Sequence, residues 1–140
     1  MCADMKLNIP TFTPEQQEKI RSGISSTVKG IASYTNPVDL TGSALDNDVV
    51  FTASEISMMD TIDCILVLLL PYVPGVTMDL GAMLAHVYAR TGKPIIAYVP
   101  RVDKYQMLIE GFEMNGLPVA HTLEGSVQML SALMRYSKGR

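Results

Sequence analysis

The sequence is poor in cysteine and in charge. Its only two cysteines, Cys2 and Cys64, lie far apart, and Cys64 falls inside an apolar run, where we expect an inert core thiol. This pattern argues against a disulfide framework and is typical of a reduced, cytoplasmic protein. The formal net charge is -3, and lysine and arginine are scattered along the chain, so the sequence gives no electrostatic reason to expect nucleic acid as a partner.

Long hydrophobic segments are also absent. The longest apolar run is much shorter than the roughly 20 residues that a membrane-spanning helix needs, and the first residues do not have the pattern of a signal peptide. The hydrophobic fraction of 48% and the charged fraction of 18% exclude a disordered chain. We expect the 140 residues to form one domain.

Phosphate-binding motifs and metal-ligand clusters are missing as well. Neither G-x-x-x-x-G-K-[ST] nor a G-x-G-x-x-G after a strand occurs, and no loop has the hydroxyl- and glycine-rich pattern that binds flavin. His86 has no second ligand at a helical spacing. His121, at the carboxyl end of an expected strand, is interpreted as a loop residue. The sequence therefore predicts neither a catalytic residue nor a metal ligand.

What the sequence does contain is a strong pattern over residues 61–100. Residues 62–70 are almost unbroken aliphatic, which is typical of a strand buried on both faces. Apolar residues then recur at helical spacing from Val76 to Val87, Gly92 fits a helix C-terminal cap, and residues 95–99 form a second apolar run. This order predicts a right-handed parallel βαβ unit.

The rest of the chain extends this unit. We predict helices over residues 14–29, 45–59, 103–115 and 124–136, and further strands over residues 36–42 and 117–120. The alternation indicates an open, doubly wound parallel sheet of four strands. In such folds, ligands bind beyond the carboxyl ends of the strands. The loops expected at that edge are residues 41–45, 71–76, 100–103 and 121–124.

Charged and turn-forming residues at this edge have two interpretations each. Arg101, the only cation expected there between a strand and a helix, is suited to holding a carboxylate or phosphate, or it is a solvated surface charge. In the segment NPVDLTG, Asn36 starts a turn, Asp39 can bind nearby backbone N–H groups and Gly42 permits a positive φ. The same segment is alternatively a functional loop.

Three segments carry a family resemblance. NPVDLTG (residues 36–42), GKPIIAYVP (92–100) and NGLPVAHTLEGSVQMLSALMRY (115–136) occur in an order and spacing that resemble the CoA-ligase domain of the nucleoside-diphosphate-forming acyl-CoA synthetases. This family includes ADP-forming acetyl-CoA synthetase and, more remotely, succinyl-CoA synthetase. The resemblance covers the chain from about Leu7 onward. It implies a flavodoxin-like, doubly wound sheet in three α/β/α layers.

The resemblance also implies a reaction and partners. The complete enzyme would interconvert an acyl-CoA, phosphate and ADP with a free acid, CoA and ATP, through an acyl phosphate and a phosphohistidine. The phosphohistidine, the ATP-grasp domain with its nucleotide and magnesium, and the CoA-binding domain belong to other domains or subunits, which are the implied partners. This domain is expected to bind no cofactor and to be inactive alone. Its candidate substrate-facing residues are Asn36, Asp39, Gly42, Pro71, Tyr72, Pro74, Gly75, Pro100, Arg101 and Asp103.

Two features depart from the family. The loop after Val99 reads PRVDKYQ, where the family has glycines, and the family's first strand with its glycine-rich turn has no counterpart. That strand would lie between residues 36–42 and 62–70, so its loss should leave backbone groups unpaired. We therefore expect a fragment of a longer multidomain protein, or a chain that associates, for instance as a homo-oligomer.

Two other functions remain open at this point. One is an interaction or regulatory module that keeps the fold without the chemistry, which the altered PRVDKYQ loop favours. The other is an unrelated flavodoxin-like domain that binds a small ligand at its strand ends.

Overall fold

The computed structural model describes residues 1–70 and 73–138. Its strands are β1 (Ile65–Leu68), β2 (Ile95–Tyr98) and β3 (Val119–Ala120). Its helices are α1 (Pro14–Ser22), α2 (Ser26–Lys29), α3 (Asp46–Ser57), α4 (Leu80–Thr91), α5 (Gln106–Met114) and α6 (Leu123–Lys138). Short 3-10 turns cover Ala3–Met5 and Asp103–Tyr105.

The three strands form one parallel sheet in the order β1-β2-β3. Ile65 lies opposite Ile95, and Ala97 lies opposite Val119. Helix α4 connects the first two strands and ends at Gly92, whose φ of 69° is the left-handed conformation expected of a C-terminal cap. The parallel βαβ unit predicted from residues 61–100 is therefore confirmed.

Helices cover both faces of the sheet. Alternate strand residues, such as Val67 and Ala97, point into the main core, against which α3, α4 and α5 pack one beside the next. Ile96 points the other way, and α6 lies against β2 and β3 on that face and buries Val127 there. The arrangement confirms an α/β architecture in three layers, consistent with a flavodoxin-like fold.

The fourth predicted strand, residues 36–42, does not join the sheet. Asp39 instead pairs with Ser33 in an isolated antiparallel bridge, in which each backbone N–H donates to the other residue's carbonyl at 2.9 Å. The Asp39 carboxylate also accepts a hydrogen bond from the Thr41 backbone N–H at 2.8 Å. Thr41 has a φ of 66°, which interrupts an extended conformation. These local hydrogen bonds replace the expected sheet hydrogen bonds.

The predicted helix over residues 14–29 is divided in two. Its start is as expected: Thr13 and Gln16 form a reciprocal capping box. The first helix ends at Ser22 with Gly23 as its C-cap, and Gly23 packs so closely on the ring of Phe51 that a Cβ there would lie 2.1 Å from the ring. The helix predicted from Asp103 begins instead at Gln106, after a 3-10 turn that contains Asp103.

Strand β1 lies at an edge of the sheet. Ile65 and Leu69 donate their N–H groups to the strand β2 side, so the N–H groups of the alternating residues Leu66 and Leu68 point outward. Within residues 1–70 and 73–138, no other strand pairs with this edge. Within the described residues, this edge of β1 therefore carries backbone groups that no other strand pairs.

Candidate functional site

The loops after β1 and β2 emerge at the carboxyl edge of the sheet. Residues 73–79 precede α4, and residues 99–105 precede α5. A parallel sheet places both loops on the same side. Between them lies a cleft of about 550 Å³, which is the size of a small-molecule site. Its wall is formed by Val73, Pro74, Val76, Thr77, Met78, Lys104, Tyr105, Met107 and Leu108.

The wall of this cleft is mainly apolar. Met78 and Met107 are 49% and 60% exposed, so two flexible thioether side chains face solvent beside the opening. Lys104 carries the one formal charge among these wall residues. Sequence reasoning named Arg101 as the only cation at this edge and missed Lys104, which lies in the 3-10 turn before α5.

The first wall loop is fastened to the N-terminus of α3. The Asp46 carboxylate accepts hydrogen bonds from the Thr77 backbone N–H at 2.9 Å and from the Thr77 hydroxyl at 2.5 Å. The Asp46 N–H donates to the Gly75 carbonyl at 3.2 Å. A Cβ on Gly75 would lie 2.5 Å from the Ala44 carbonyl oxygen, so this contact requires glycine. Gly75 therefore has a packing role in the loop.

The sequence-based candidates in residues 36–42 make local contacts. The Asn36 side-chain amide donates to the Pro10 carbonyl at 3.0 Å, and Asp39 bonds to Ser33 and Thr41 as described above. Gly42 permits a positive φ but does not adopt one; the preceding Thr41 does. These contacts match the turn interpretation of the segment, and a role in ligand binding stays a prediction.

The remaining candidates lie beside the cleft. Pro74 is in its wall, and Pro100, Arg101 and Asp103 lie in the loop that leads to its other wall. Arg101 and Asp103 are exposed, and Arg101 forms no ion pair with the part of the chain that the structure describes. The predictions for Pro71 and Tyr72 fall outside the described residues.

His121 links the carboxyl ends of β2 and β3. Its Nδ1 lies 2.9 Å from the Val99 carbonyl oxygen. Because a carbonyl only accepts, Nδ1 carries the proton in this contact. His121 thus has a defined structural contact in addition to the loop position that was predicted.

Asp48 is a structural residue that the sequence analysis missed. It is only 2% exposed, and its carboxylate accepts hydrogen bonds from the Ser25 N–H at 2.8 Å, the Ser25 hydroxyl at 2.9 Å and the Leu45 N–H at 3.0 Å. A buried carboxylate needs such donors. Asp48 thereby fixes the start of α2 against the start of α3, which in turn positions Asp46.

Reactive and metal-binding groups do not converge at the cleft. Burial raises the pKa of the Cys64 thiol, and the neighbouring Asp63 carboxylate adds to the increase, so the thiol stays protonated at neutral pH. Across the described ranges, no three His, Cys, Asp or Glu side chains form a group that could hold a metal ion. No helix in the described chain is long and apolar enough to span a bilayer.

Comparison with known proteins gives structural matches only. No family model and no curated protein sequence matches this chain. The structure of PH0766 from Pyrococcus horikoshii OT3 is similar with a TM-score of 0.81 and 22% sequence identity, over 98% of this chain and 32% of that chain. A dinucleotide-forming acetyl-coenzyme A synthetase 1 from Ca. Korarchaeum cryptofilum, in the apo form, is similar with a TM-score of 0.74 and 18% identity, over 97% of this chain and 29% of that chain.

These matches have two consequences. The chain spans about a third of the length of the solved proteins that it resembles. At these levels of sequence identity, the likeness establishes a common fold, which is the fold that the family resemblance implied. Nearly all residues of this chain thus share the fold of one part of a larger protein.

Proposed function

We propose that this chain is a CoA-ligase-type domain of a nucleoside-diphosphate-forming acyl-CoA synthetase. The complete enzyme would interconvert an acyl-CoA, ADP and phosphate with a free acid, CoA and ATP. One observation carries the proposal: nearly the whole chain has the fold of a segment within a protein described as an acetyl-coenzyme A synthetase. The order of the NPVDLTG, GKPIIAYVP and NGLPVAHTLEG segments supports it independently.

Under this proposal the domain contributes a scaffold and binding loops. The described residues offer no group of ligands for magnesium, and the sequence has no glycine-rich phosphate loop. The described residues therefore do not fit a magnesium ion, and the resemblance assigns the nucleotide and the phosphohistidine to other domains or subunits. Those groups belong to other domains or subunits, and this chain supplies the cleft and the loops around Pro74 and Arg101.

The proposal is tested by identifying what accompanies the native protein. Antibodies against the purified 140-residue chain would capture the native polypeptide, and mass spectrometry would identify its additional segments and companions. We expect a CoA-binding segment and an ATP-grasp segment, on the same polypeptide or on a subunit. Capture of a polypeptide with neither segment, alone or with unrelated proteins, would contradict the proposal and favour an interaction module.

A second experiment tests whether catalysis requires the other domains. The purified chain is incubated with acetyl-CoA, ADP, phosphate and magnesium, and the release of CoA is measured with a thiol reagent. We expect no release above the rate without protein, because under this proposal the phosphohistidine is carried on another domain. Turnover by the chain alone would contradict the assignment of catalysis to other domains.

A further inference from the structure

We propose that a groove between α3 and α4 binds a small aromatic oxyanion, with Arg90 holding the charged group and Phe51 contacting the aromatic ring. This groove shares no wall residue with the cleft described above. The proposed synthetase function does not require it, so the inference goes beyond that function. It rests on the residues of the groove wall and on the hydrogen bond that fixes Arg90.

The groove follows two neighbouring helices of the main core layer. Helices α3 and α4 pack side by side and enclose a volume of about 430 Å³, which is within the range of small-molecule sites. Phe51 and Ser54 come from successive turns of α3, and Met83, Val87 and Arg90 come from successive turns of α4. Val87 is buried, so the base of the groove is apolar. The groove therefore combines an apolar base with polar groups on its walls.

Ser54 fixes the guanidinium of Arg90 at the groove wall. The Arg90 Nη2 group donates a hydrogen bond to Ser54 Oγ at 2.6 Å, and both residues line the groove. This bond uses a single N–H of the guanidinium, which has several. Arg90 forms no ion pair within residues 1–70 and 73–138. The remaining donors can therefore hold an oxyanion in the bidentate geometry that guanidinium groups favour.

The charge of the wall favours an anion. Among the described residues that line the groove, Arg90 carries the one formal charge, and no carboxylate occurs. His86, one turn before Arg90 on α4, is exposed and lines the same groove. A neutral imidazole has one N–H donor in either tautomer, so His86 can add a hydrogen bond to an oxyanion. The wall therefore favours an acid over an alcohol or an amine of the same shape.

Phe51 supplies the aromatic contact. Its ring reaches from α3 to Gly23, where a Cβ would lie 2.1 Å from the ring. The ring is half-buried against the core and also lines the groove. Because the ring is already held in place, binding does not have to order it. Aromatic rings pair in offset-stacked or edge-to-face arrangements, so this wall favours an aromatic ligand over a saturated one.

A methionine methyl group in the groove provides the direct test. The chain is labelled at the methionine methyl carbons and titrated separately with benzoate, phenyl phosphate, cyclohexanecarboxylate, benzyl alcohol and benzylamine, while NMR records each methyl signal. We expect the two aromatic anions to shift the Met83 signal with a Kd on the order of 1–10 mM, as is usual for so small a ligand at an open site. The alcohol and the amine should bind about tenfold more weakly. Met114, which is 85% exposed and lies outside the groove, is the matched reporter that should not respond.

A variant separates the charge from the apolar contact. Arg90→Gln should lower the affinity for benzoate about tenfold and leave the response to benzyl alcohol unchanged. Arg135→Gln is the matched control, because Arg135 is exposed on α6 at the opposite face of the sheet, and it should leave both unchanged. The stronger of benzoate and phenyl phosphate identifies the ligand as a carboxylic acid or as a phosphate ester.

Three results would overturn the proposal. Equal affinities for acid, alcohol and amine, or an unchanged affinity in Arg90→Gln, would overturn the role of Arg90. Absence of a shift at Met83, or an equal shift at Met114, would overturn the site. Binding of benzoate no tighter than that of cyclohexanecarboxylate would overturn the aromatic contact with Phe51. Because these measurements involve no turnover and a site outside the cleft, they succeed or fail independently of the capture experiment that tests the synthetase proposal.

Discussion

Asp46 and Thr77 join the start of α3 to the loop after β1 through two hydrogen bonds to one carboxylate, 2.9 Å from the backbone N–H and 2.5 Å from the hydroxyl. Asp46 precedes the first strand of the sheet and Thr77 follows it, so their contact ties the start of α3 to the loop after β1. The Gly75 carbonyl, which accepts the Asp46 N–H, completes the connection. These hydrogen bonds hold the loop of residues 73–78, which forms one wall of the cleft.

Removal of this carboxylate should destabilise the protein. We expect Asp46→Ala to lower the free energy of unfolding by about 1–2 kcal/mol, because two hydrogen bonds to a charged acceptor are lost at a partly exposed position. Urea denaturation followed by circular dichroism would measure it. Asn47→Ala, at the next and exposed position of α3, is the matched control and should change stability by less than about 0.5 kcal/mol. Equal effects of the two changes would contradict the prediction.

The crossing of α4 and α5 depends on two glycines. A Cβ on Gly81 would lie 2.4 Å from the Gly111 carbonyl oxygen, and a Cβ on Gly111 would lie 2.4 Å from the Met78 carbonyl oxygen. Gly81→Ala should therefore push the helices apart and cost about 1–3 kcal/mol. Gly30→Ala is the matched control, because a Cβ there meets nothing within 4 Å, and it should be neutral or slightly stabilising. Thermal unfolding of both variants would show the difference; a stable Gly81→Ala variant would refute the close crossing.

A buried hydroxyl in α3 offers a stabilising substitution. Thr52 is 6% exposed and its Oγ1 has no hydrogen-bond partner in the described structure. Thr52→Val keeps the shape and removes the polar atom, so we expect the free energy of unfolding to rise by about 1 kcal/mol. Thr52→Ser, which keeps the hydroxyl and loses the methyl group, should instead destabilise. A loss of stability in Thr52→Val would mean that the hydroxyl is satisfied.

The Cys64 thiol should make stability depend on pH. Burial raises the pKa of this thiol above its ordinary value, so in the alkaline range the unfolded thiol ionises before the folded one. The unfolded state then binds fewer protons, and stability falls as the pH rises above about 8.5. Urea unfolding at several pH values, compared between the unaltered protein and Cys64→Ala, isolates this contribution. A pH dependence that is identical in both proteins would contradict it.

The fold was predictable where the pattern depends on local rules. The aliphatic run before Leu70, the Gly92 cap and the Thr13 capping box each follow from one short segment, and the βαβ unit follows from their order. Residues 36–42 were predicted as a strand because Pro37 fixes φ and disfavours the helical conformation at Asn36. Their backbone groups bond locally instead, and this competition cannot be decided from residue types.

The candidate site was predictable in its location and less so in its residues. Parallel strands alone place ligand loops at their carboxyl ends, and Pro74 does line the cleft there. The contacts of Asp48 with Ser25 and of Asp46 with Thr77 join residues that are distant in sequence, which no local pattern reveals. The roles of Asn36, Arg101 and Asp103 in ligand binding, and association into a homo-oligomer, stay predictions.

The central claim is tested most directly by the activity of the native protein. Material captured from its source cells with antibodies against this chain is supplied with acetyl-CoA, butyryl-CoA or hexanoyl-CoA, together with ADP, phosphate and magnesium, and ATP formation is measured. The account predicts ATP formation that requires both the acyl-CoA and phosphate and is matched by the release of CoA. Captured material that is intact and forms no ATP with any acyl-CoA would contradict the account.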